Sequence, residues 1–256
     1  MTLHRFYIPP ADWDPAQLAL DEAESRHAAD VLRLREGDRL AVFNGAGQEA
    51  LVRIHQPTKR RTPLVLESLT HTPAPSVKLL LAQAIPKGKN MDLLLQKATE
   101  LGATGIWPIL TERTVVRMDA AEATEKREKW QRMVVEACKQ CGQNHLPPVH
   151  LPQSLRQFLT HLPAADLPVI AALTPQARPL HQLLDASSPR PQSALILIGP
   201  EGDFTPAELA AAEAAHFLPL SLGPLVLRTE TAGIYALSVL GYELGKQASA
   251  GSPLRP

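Results

Sequence analysis

The spacing of hydrophobic and polar residues changes character near residue 72. Before that point, short apolar runs alternate with turn residues, and one helix is predicted over residues 24–32. The sequence Asn-Gly-Ala-Gly at 44–47 predicts a hairpin turn between two of the strands. We therefore predict a small β-rich domain over residues 1–72, with strands at 5–8, 39–43, 50–54 and 64–69.

After a proline-containing linker at residues 71–76, predicted strands alternate with longer helices. Asn90 is a candidate helix cap, and Thr-Pro-Ala-Glu at 205–208 has the pattern of a capping box with proline in the first turn. The alternation is typical of an α/β domain with a mostly parallel sheet covered on both faces. We place this domain at residues 77–246 and expect a flexible tail at 247–256. Its strands are predicted at 77–84, 106–110, 169–173, 194–198 and 218–222, and its helices from 90, over 122–141, from 205 and over 231–244.

Composition limits the classes of protein to which the chain can belong. It has 256 residues, 45% of them hydrophobic, with 26 basic and 26 acidic residues. Such a chain can bury a core, and its zero net charge argues against unselective coating of nucleic acid. No apolar run predicts a membrane span or a secretory signal, so we expect a cytoplasmic protein. Cys138 and Cys141 form either a structural pair on a helix or a redox or metal-binding pair.

Two glycine-bearing loops carry the candidate chemistry. The first glycine loop, residues 199–204 (GPEGDF), leads from an apolar strand into the helix at Thr205. Its glycines let backbone groups approach a ligand closely. Open α/β sheets bind ligands at the carboxyl ends of their strands, where this loop is expected. The alternative is an ordinary turn between a strand and a helix.

The second glycine loop, residues 222–228, ends at Arg228, and Thr229, Glu230 and Thr231 follow it. These polar residues lie between an apolar run and an apolar helix. A buried charge without a partner is costly, so we expect them to pair with one another or to bind a ligand. In the first case Arg228 pairs with Glu230 and Thr229 caps the helix. We favour the second because both loops follow strands in the same way.

Several motifs, taken in order, make the chain resemble the bacterial ribosomal small-subunit RNA (uracil-N3)-methyltransferase family, a branch of the SPOUT methyltransferases. Each motif is weakly specific alone, but their order over nearly the whole chain is strongly specific. They are His27 with VLR at 31–33, Gly37-Asp38, FNG at 43–45, QKATELG at 96–102, Glu112-Arg113, EACKQCG at 136–142, IGPEG at 198–202, Leu222-Gly223 and LRTETA at 227–232.

The resemblance implies an RNA-binding, PUA-like β-barrel followed by a SPOUT α/β domain with a trefoil knot. It implies S-adenosylmethionine (SAM) as cofactor, S-adenosylhomocysteine as product, no metal, and a homodimer. The implied reaction is methylation of N3 of one uridine in small-subunit (16S) ribosomal RNA, naked or in the assembled subunit. Two alternatives stay open: an RNA 2′-O-ribose methyltransferase of the same superfamily, and a non-catalytic RNA-binding assembly factor.

Carried over residue by residue, the SAM contacts of the family fall on Leu173, Thr174, Gly199, Pro200, Glu201, Gly202, Leu220, Leu222, Gly223 and Leu227. Two positions depart from the family pattern. Asp203 stands where a second glycine is common, and aspartate tolerates unusual backbone angles better than most residues. Gln143 stands where arginine is frequent, which removes a charge that could contact phosphate.

Uridine N3 must lose a proton before it can attack a methyl donor, so the reaction needs placement, proton removal and stabilisation of negative charge. Arg228 is the candidate for charge stabilisation, because guanidinium is permanently cationic and presents two donors. Glu230 is the first candidate base and Glu201 the second. Alternatively, Glu230 only orients Arg228, and the proton leaves to water.

For RNA binding we predict a set of basic residues that could track backbone phosphates together. They are Arg5, Arg33, Arg35, Lys59, Arg60 and Arg61 in the first domain and Lys87, Lys89 and Arg113 in the second.

Overall fold

The computed structural model describes residues 3–246, which divide into two compact units. The first unit holds the residues up to Ala74 together with Val135–Leu146. The second holds Pro75–Val134 and the residues from Pro147 onward. The short segment that groups with the first unit lies within the range that the sequence assigned to the second domain. The predicted tail at 247–256 lies outside the described residues.

The first unit contains a five-stranded sheet. Its elements are β1 (Arg5–Tyr7), a 3-10 turn (Pro10–Asp12), β2 (Ala19–Leu20), α1 (Glu22–Arg26), a π-helical turn (His27–Val31), β3 (Arg39–Phe43), β4 (Gln48–Ile54) and β5 (Thr62–His71). The strand order is β1-β3-β4-β5-β2, and only the β1–β3 pair is parallel. The predicted hairpin joins β3 to β4, and Gly45 and Gly47 in its turn have positive φ angles of 71° and 93°.

The second unit is an α/β layer structure. Its elements are β6 (Lys78–Ala84), α2 (Asn90–Glu100), β7 (Ala103–Leu110), α3 (Ala120–Cys141, whose residues from Val135 group with the first unit), β8 (Gln153–Ser154), α4 (Leu155–Thr160), β9 (Leu167–Ala171), β10 (Arg178–Pro179), α5 (Leu180–Asp185), β11 (Ser193–Ile198), α6 (Pro206–Ala214), β12 (Leu218–Ser221) and α7 (Thr229–Gly245). The strand order is β10-β12-β9-β11-β6-β7-β8, and all of these pairs are parallel. The predicted α/β fold with a mostly parallel sheet is confirmed.

The central strands explain why the sequence selects this fold. Every residue of β11 (SALILI) is buried, as is typical of a parallel strand covered on both faces. Leu195 and Leu197 of β11 pack in one core cluster with Phe204 and Phe217. Phe204 belongs to the first glycine loop, so the loop is anchored to the core.

Helix starts follow the predicted signals in one case and depart from them in another. Thr205 and Glu208 form the predicted capping box of α6, with Glu208 accepting from the Thr205 N–H at 2.9 Å. For α2 the prediction was wrong, because Lys89 is the cap and Asn90 is the first helical residue. This frees the Asn90 side chain for a contact elsewhere.

Strand order determines where the candidate loops emerge. β9, β11 and β12 are neighbours, with β9 in the middle, and all three run in the same direction. Their carboxyl ends, at Ala171, Ile198 and Ser221, therefore lie at one edge of the sheet. The predicted loops begin at these ends. No helix within residues 3–246 is long and apolar enough to cross a membrane.

Candidate active site

Three loops at the carboxyl edge of the sheet enclose a cleft with about 660 Å³ of empty space, open to solvent. Both glycine loops contribute to it, and the third loop follows β9. We call this space the cleft. Its lining residues are Ala171, Ala172, Leu173, Ile198, Gly199, Pro200, Glu201, Asp203, Leu220, Ser221, Leu222, Gly223, Leu225, Val226, Leu227, Thr229 and Ala232.

A hydrogen bond joins the start of α7 to the first glycine loop. The Thr229 hydroxyl donates to the Gly199 carbonyl, and both groups are buried. The residue in the cap position of α7 is Arg228, by its backbone, with φ −63° and ψ 151°. The alternative in which Thr229 caps this helix is therefore wrong, since its hydroxyl joins two segments of the cleft.

Contacts within the first glycine loop and a hydrogen bond from Arg113 stabilise its conformation. A Cβ on Gly199 would lie 2.9 Å from the Phe204 ring, so only glycine fits there. Asp203 takes a positive φ of 58°, and its Oδ1 accepts from the Phe204 N–H at 2.8 Å. The Arg113 guanidinium donates to the Gly202 carbonyl at 2.7 Å. Aspartate thus supports the turn at the position where the family pattern has glycine.

The second glycine loop supplies an apolar wall of the cleft. Gly223 has a φ of 110°, which side-chain-bearing residues rarely adopt. Leu225 and Val226 are 74% and 78% exposed. Exposed apolar side chains that line a cleft are typical of a binding surface for an apolar group. Glu201 and Asp203 of the first glycine loop also line the cleft.

Two family models match this chain: an RNA methyltransferase domain at residues 72–241 and an RNA methyltransferase PUA domain at residues 20–61. The chain belongs to the RNA methyltransferase family. Its amino-terminal unit is accordingly the PUA-like domain of this family, and its unit with the seven-stranded parallel sheet is the methyltransferase domain. The predicted family is confirmed.

Relatives within the family share most of their length with this chain. Ribosomal RNA small subunit methyltransferase E of Bacillus subtilis is 33% identical, and the match covers 86% of this chain and 88% of that protein. Two solved structures contain bound SAM. A Legionella pneumophila protein has a TM-score of 0.86 at 34% identity, covering 95% of this chain and 98% of that one. The methyltransferase E of Neisseria gonorrhoeae has a TM-score of 0.83 at 29% identity, covering 94% and 98%.

Eight of the ten residues predicted to contact SAM line the cleft of this methyltransferase. The two that do not are Thr174 and Gly202. The Thr174 hydroxyl is buried and has no hydrogen-bond partner among the described residues. The predicted SAM contacts did not include the lining residues Ala171, Ala172, Ile198, Asp203, Ser221, Leu225, Val226, Thr229 and Ala232, most of which adjoin residues that the prediction named.

The three candidate catalytic residues lie in different surroundings. Arg228 is exposed, and its guanidinium has no partner within residues 3–246. Glu230 is 8% exposed and accepts from Asn90 Nδ2 at 3.1 Å. Glu201 lines the cleft and accepts from the Lys87 N–H at 2.9 Å. The ion pair between Arg228 and Glu230, which was the less favoured alternative from the sequence, is absent from the described residues.

The predicted RNA-binding residues separate into free and engaged cations. Arg5 is engaged within the first unit: its half-buried side chain is 14% exposed, pairs with Glu49 and donates to Asn144 at 2.8 Å. Lys59 pairs with Asp30 at 2.8 Å on the surface. Arg113 is engaged with the Gly202 carbonyl. The other six side chains are exposed and have no ion pair in the described part of the chain: Arg33, Arg35, Arg60, Arg61, Lys87 and Lys89.

The cysteine pair has the environment of a structural element. Burial raises the pKa of the Cys138 thiol to about 12, so this thiol stays protonated at neutral pH and is a poor nucleophile. Cys141 is exposed. Within residues 3–246, no group of three or more His, Cys, Asp or Glu side chains could hold a metal ion.

Arg113 is expected to order the first glycine loop. Arg113→Ala removes the donors to Gly202 and Phe204, so amide hydrogen exchange of residues 201–204 should accelerate about threefold to tenfold. Arg117→Ala, which removes a nearby exposed cation without a partner in the described residues, is the control. Equal exchange in both variants would show that Arg113 does not hold the loop.

Proposed function

We propose that this protein is a SAM-dependent methyltransferase that methylates N3 of one uridine in small-subunit (16S) ribosomal RNA. The observation that carries the proposal is that both glycine loops, far apart in sequence, line one cleft. This occurs in a chain whose relatives are named ribosomal RNA small subunit methyltransferase E. The motifs that carry the resemblance favour the uracil-N3 reaction over ribose 2′-O-methylation.

The lining of the cleft fits SAM in its chemistry, because it combines apolar side chains with a few polar groups. Leu222, Leu225 and Leu227 offer an apolar surface for an adenine ring. Glu201 and Asp203 offer carboxylates that suit the positive charges of the sulfonium and amino groups and the hydroxyls of the ribose. When bound, SAM supplies an electrophilic methyl group.

The surroundings of Arg228 support it as the group that stabilises a uracil that has lost its N3 proton. Its neighbours in sequence, Leu227 and Thr229, both line the cleft, while its own guanidinium is exposed and unpaired in the described residues. It lies at the amino-terminal end of α7, where the helix dipole also favours negative charge. A guanidinium already paired with a carboxylate would attract the uracil anion less strongly.

Glu230 and Glu201 remain the candidates for proton removal. Glu230 makes its hydrogen bond with Asn90 instead of Arg228, which supports a role as base over a role in orienting Arg228. Burial of an acid with a single neutral donor leaves acceptor capacity for a proton. Glu201 is more exposed and already lines the cleft.

The assembly around this site is also part of the proposal. We propose a homodimer, a trefoil knot in the methyltransferase domain, RNA binding by the PUA-like domain, and a cytoplasmic location. Exposed aromatic side chains on α7, Tyr235 at 45% and Tyr242 at 71%, support a second copy as the covering surface. The six free cations support contacts with RNA phosphates.

The reaction itself is tested with SAM carrying a labelled methyl group. The purified protein is expected to label small-subunit RNA, and nucleoside analysis by mass spectrometry should place the label on uridine N3. Naked RNA and assembled subunits are compared as substrates. Label on a ribose 2′-OH would favour the superfamily alternative. Failure to bind SAM or S-adenosylhomocysteine in calorimetry would favour the non-catalytic assembly factor.

Removal of Arg228 should affect turnover far more than cofactor affinity. For Arg228→Ala we expect kcat to fall about 100- to 1,000-fold, as when a preorganised charge-stabilising donor is lost, with the Kd of SAM nearly unchanged. Arg156→Ala, at another exposed arginine of the same unit, is the control. Unchanged turnover would remove Arg228 from the mechanism.

A pH series on Glu230→Gln separates its possible roles. If Glu230 is the base, kcat of the variant falls about 100-fold or more, and the loss of rate toward acidic pH that a carboxylate base gives the wild type is absent from the variant. We expect this outcome because Glu230 does not contact Arg228. A lower rate with the same pH dependence would contradict it. Glu201→Gln, measured in parallel, tests the second candidate.

A further inference from the structure

A buried glutamine lies behind the cleft and extends the contact between Thr229 and Gly199. Gln83, near the end of β6, is fully buried, and its Nε2 donates to the Thr229 hydroxyl at 2.9 Å. The same Nε2 donates to the Ala84 carbonyl at 3.1 Å. Together with the bond from Thr229 to Gly199, this network connects β6, the first turn of α7 and the first glycine loop.

The number of protons on each group determines which group donates and which accepts in this network. A threonine hydroxyl has one proton, so while it donates to Gly199 it can only accept from Gln83. The Gln83 amide nitrogen must therefore face Thr229, and its Oε1 faces Gly233 of α7. A Cβ at Gly233 would lie 2.5 Å from this oxygen, so a larger residue there would force the Gln83 amide to shift.

This orientation of the Gln83 amide lowers the stability of the fold, which suggests that the glutamine serves another purpose. Gln83 Oε1 is buried and has no hydrogen-bond partner among the described residues. Unsatisfied buried polar atoms are rare and destabilising, and an apolar side chain of the same shape would avoid the penalty. A packed core alone does not require glutamine here.

We propose that Gln83 is a positioning residue for methyl transfer. Through Thr229 it fixes the Gly199 carbonyl in the cleft wall against the turn of α7 that carries Arg228 and Glu230. This inference rests on the proposed function. Gln83 does not line the cleft, so it acts on the placement of these groups and not on the reacting atoms.

Paired substitutions test the network. Gln83→Met and Thr229→Val remove its hydrogen bonds at similar volume, and Thr229→Ser keeps the hydroxyl. Thr99→Val is the matched control, because Thr99 is equally buried in the same unit but bonds only to the Leu95 carbonyl of its own helix. The measurements are amide hydrogen exchange, kcat, KM for RNA, and the Kd of SAM.

We expect Gln83→Met and Thr229→Val each to weaken SAM binding and lower kcat about threefold to tenfold, with KM for RNA unchanged. Exchange should accelerate in residues 199–204 and in the first turn of α7. Thr229→Ser keeps the hydroxyl, so its SAM affinity, kcat and amide exchange should stay near the wild-type values. The double variant should cost little more than the larger single change, because both break one network. Thr99→Val should change none of these.

Unchanged exchange in residues 199–204, or a double variant whose loss is the product of the two single losses, would overturn the positioning role. If exchange accelerates as expected but the wild type transfers no methyl group, the proposed function fails while the coupling of Gln83 to the loop stands.

Discussion

The hydrogen bond from the Thr229 hydroxyl to the Gly199 carbonyl is the contact on which the site depends. This bond joins two segments that follow different strands. Without it, the two loops would share an edge of the sheet but would not be tied to each other. Parallel order of β9, β11 and β12 brings the loops near each other. The threonine then holds them in one arrangement, so the cleft has a defined wall, as preorganised binding requires.

Neutral donors hold the carboxylates of the two candidate bases. Glu201 accepts from a backbone N–H, and Glu230 accepts from the Asn90 amide. Neither carboxylate pairs with Arg228 within the described residues. An ion pair would have neutralised part of the charge that the proposed chemistry uses, so the arrangement keeps a cation and two acceptors separately available.

The basic residues show that sequence position does not distinguish structural cations from free ones. Arg113 donates to the first glycine loop, and Arg5 is a half-buried residue paired with Glu49. Both would look like surface charges in the sequence. The free cations remain as the candidates for contact with phosphate, which requires charges that are not already neutralised.

Local signals in the sequence determined a large part of this protein. Continuous apolar runs such as β11, the capping box at Thr205 and the turn at residues 44–47 are visible because they depend on neighbours in the chain. The motifs also identified the family and most of the cleft. The short elements α4 and α5 were missed, although Ser154 and Gln157 form a capping box that signals α4.

Only the tertiary structure decided which partner each polar side chain takes. Asn90 was predicted as a cap and instead contacts Glu230, and Thr229 contacts Gly199 instead of capping α7. The sequence did not single out Gln83, because its hydrogen-bond partner is a hydroxyl 146 positions away in the chain. Such contacts depend on strand order and on the approach of distant backbone, which local periodicity does not encode.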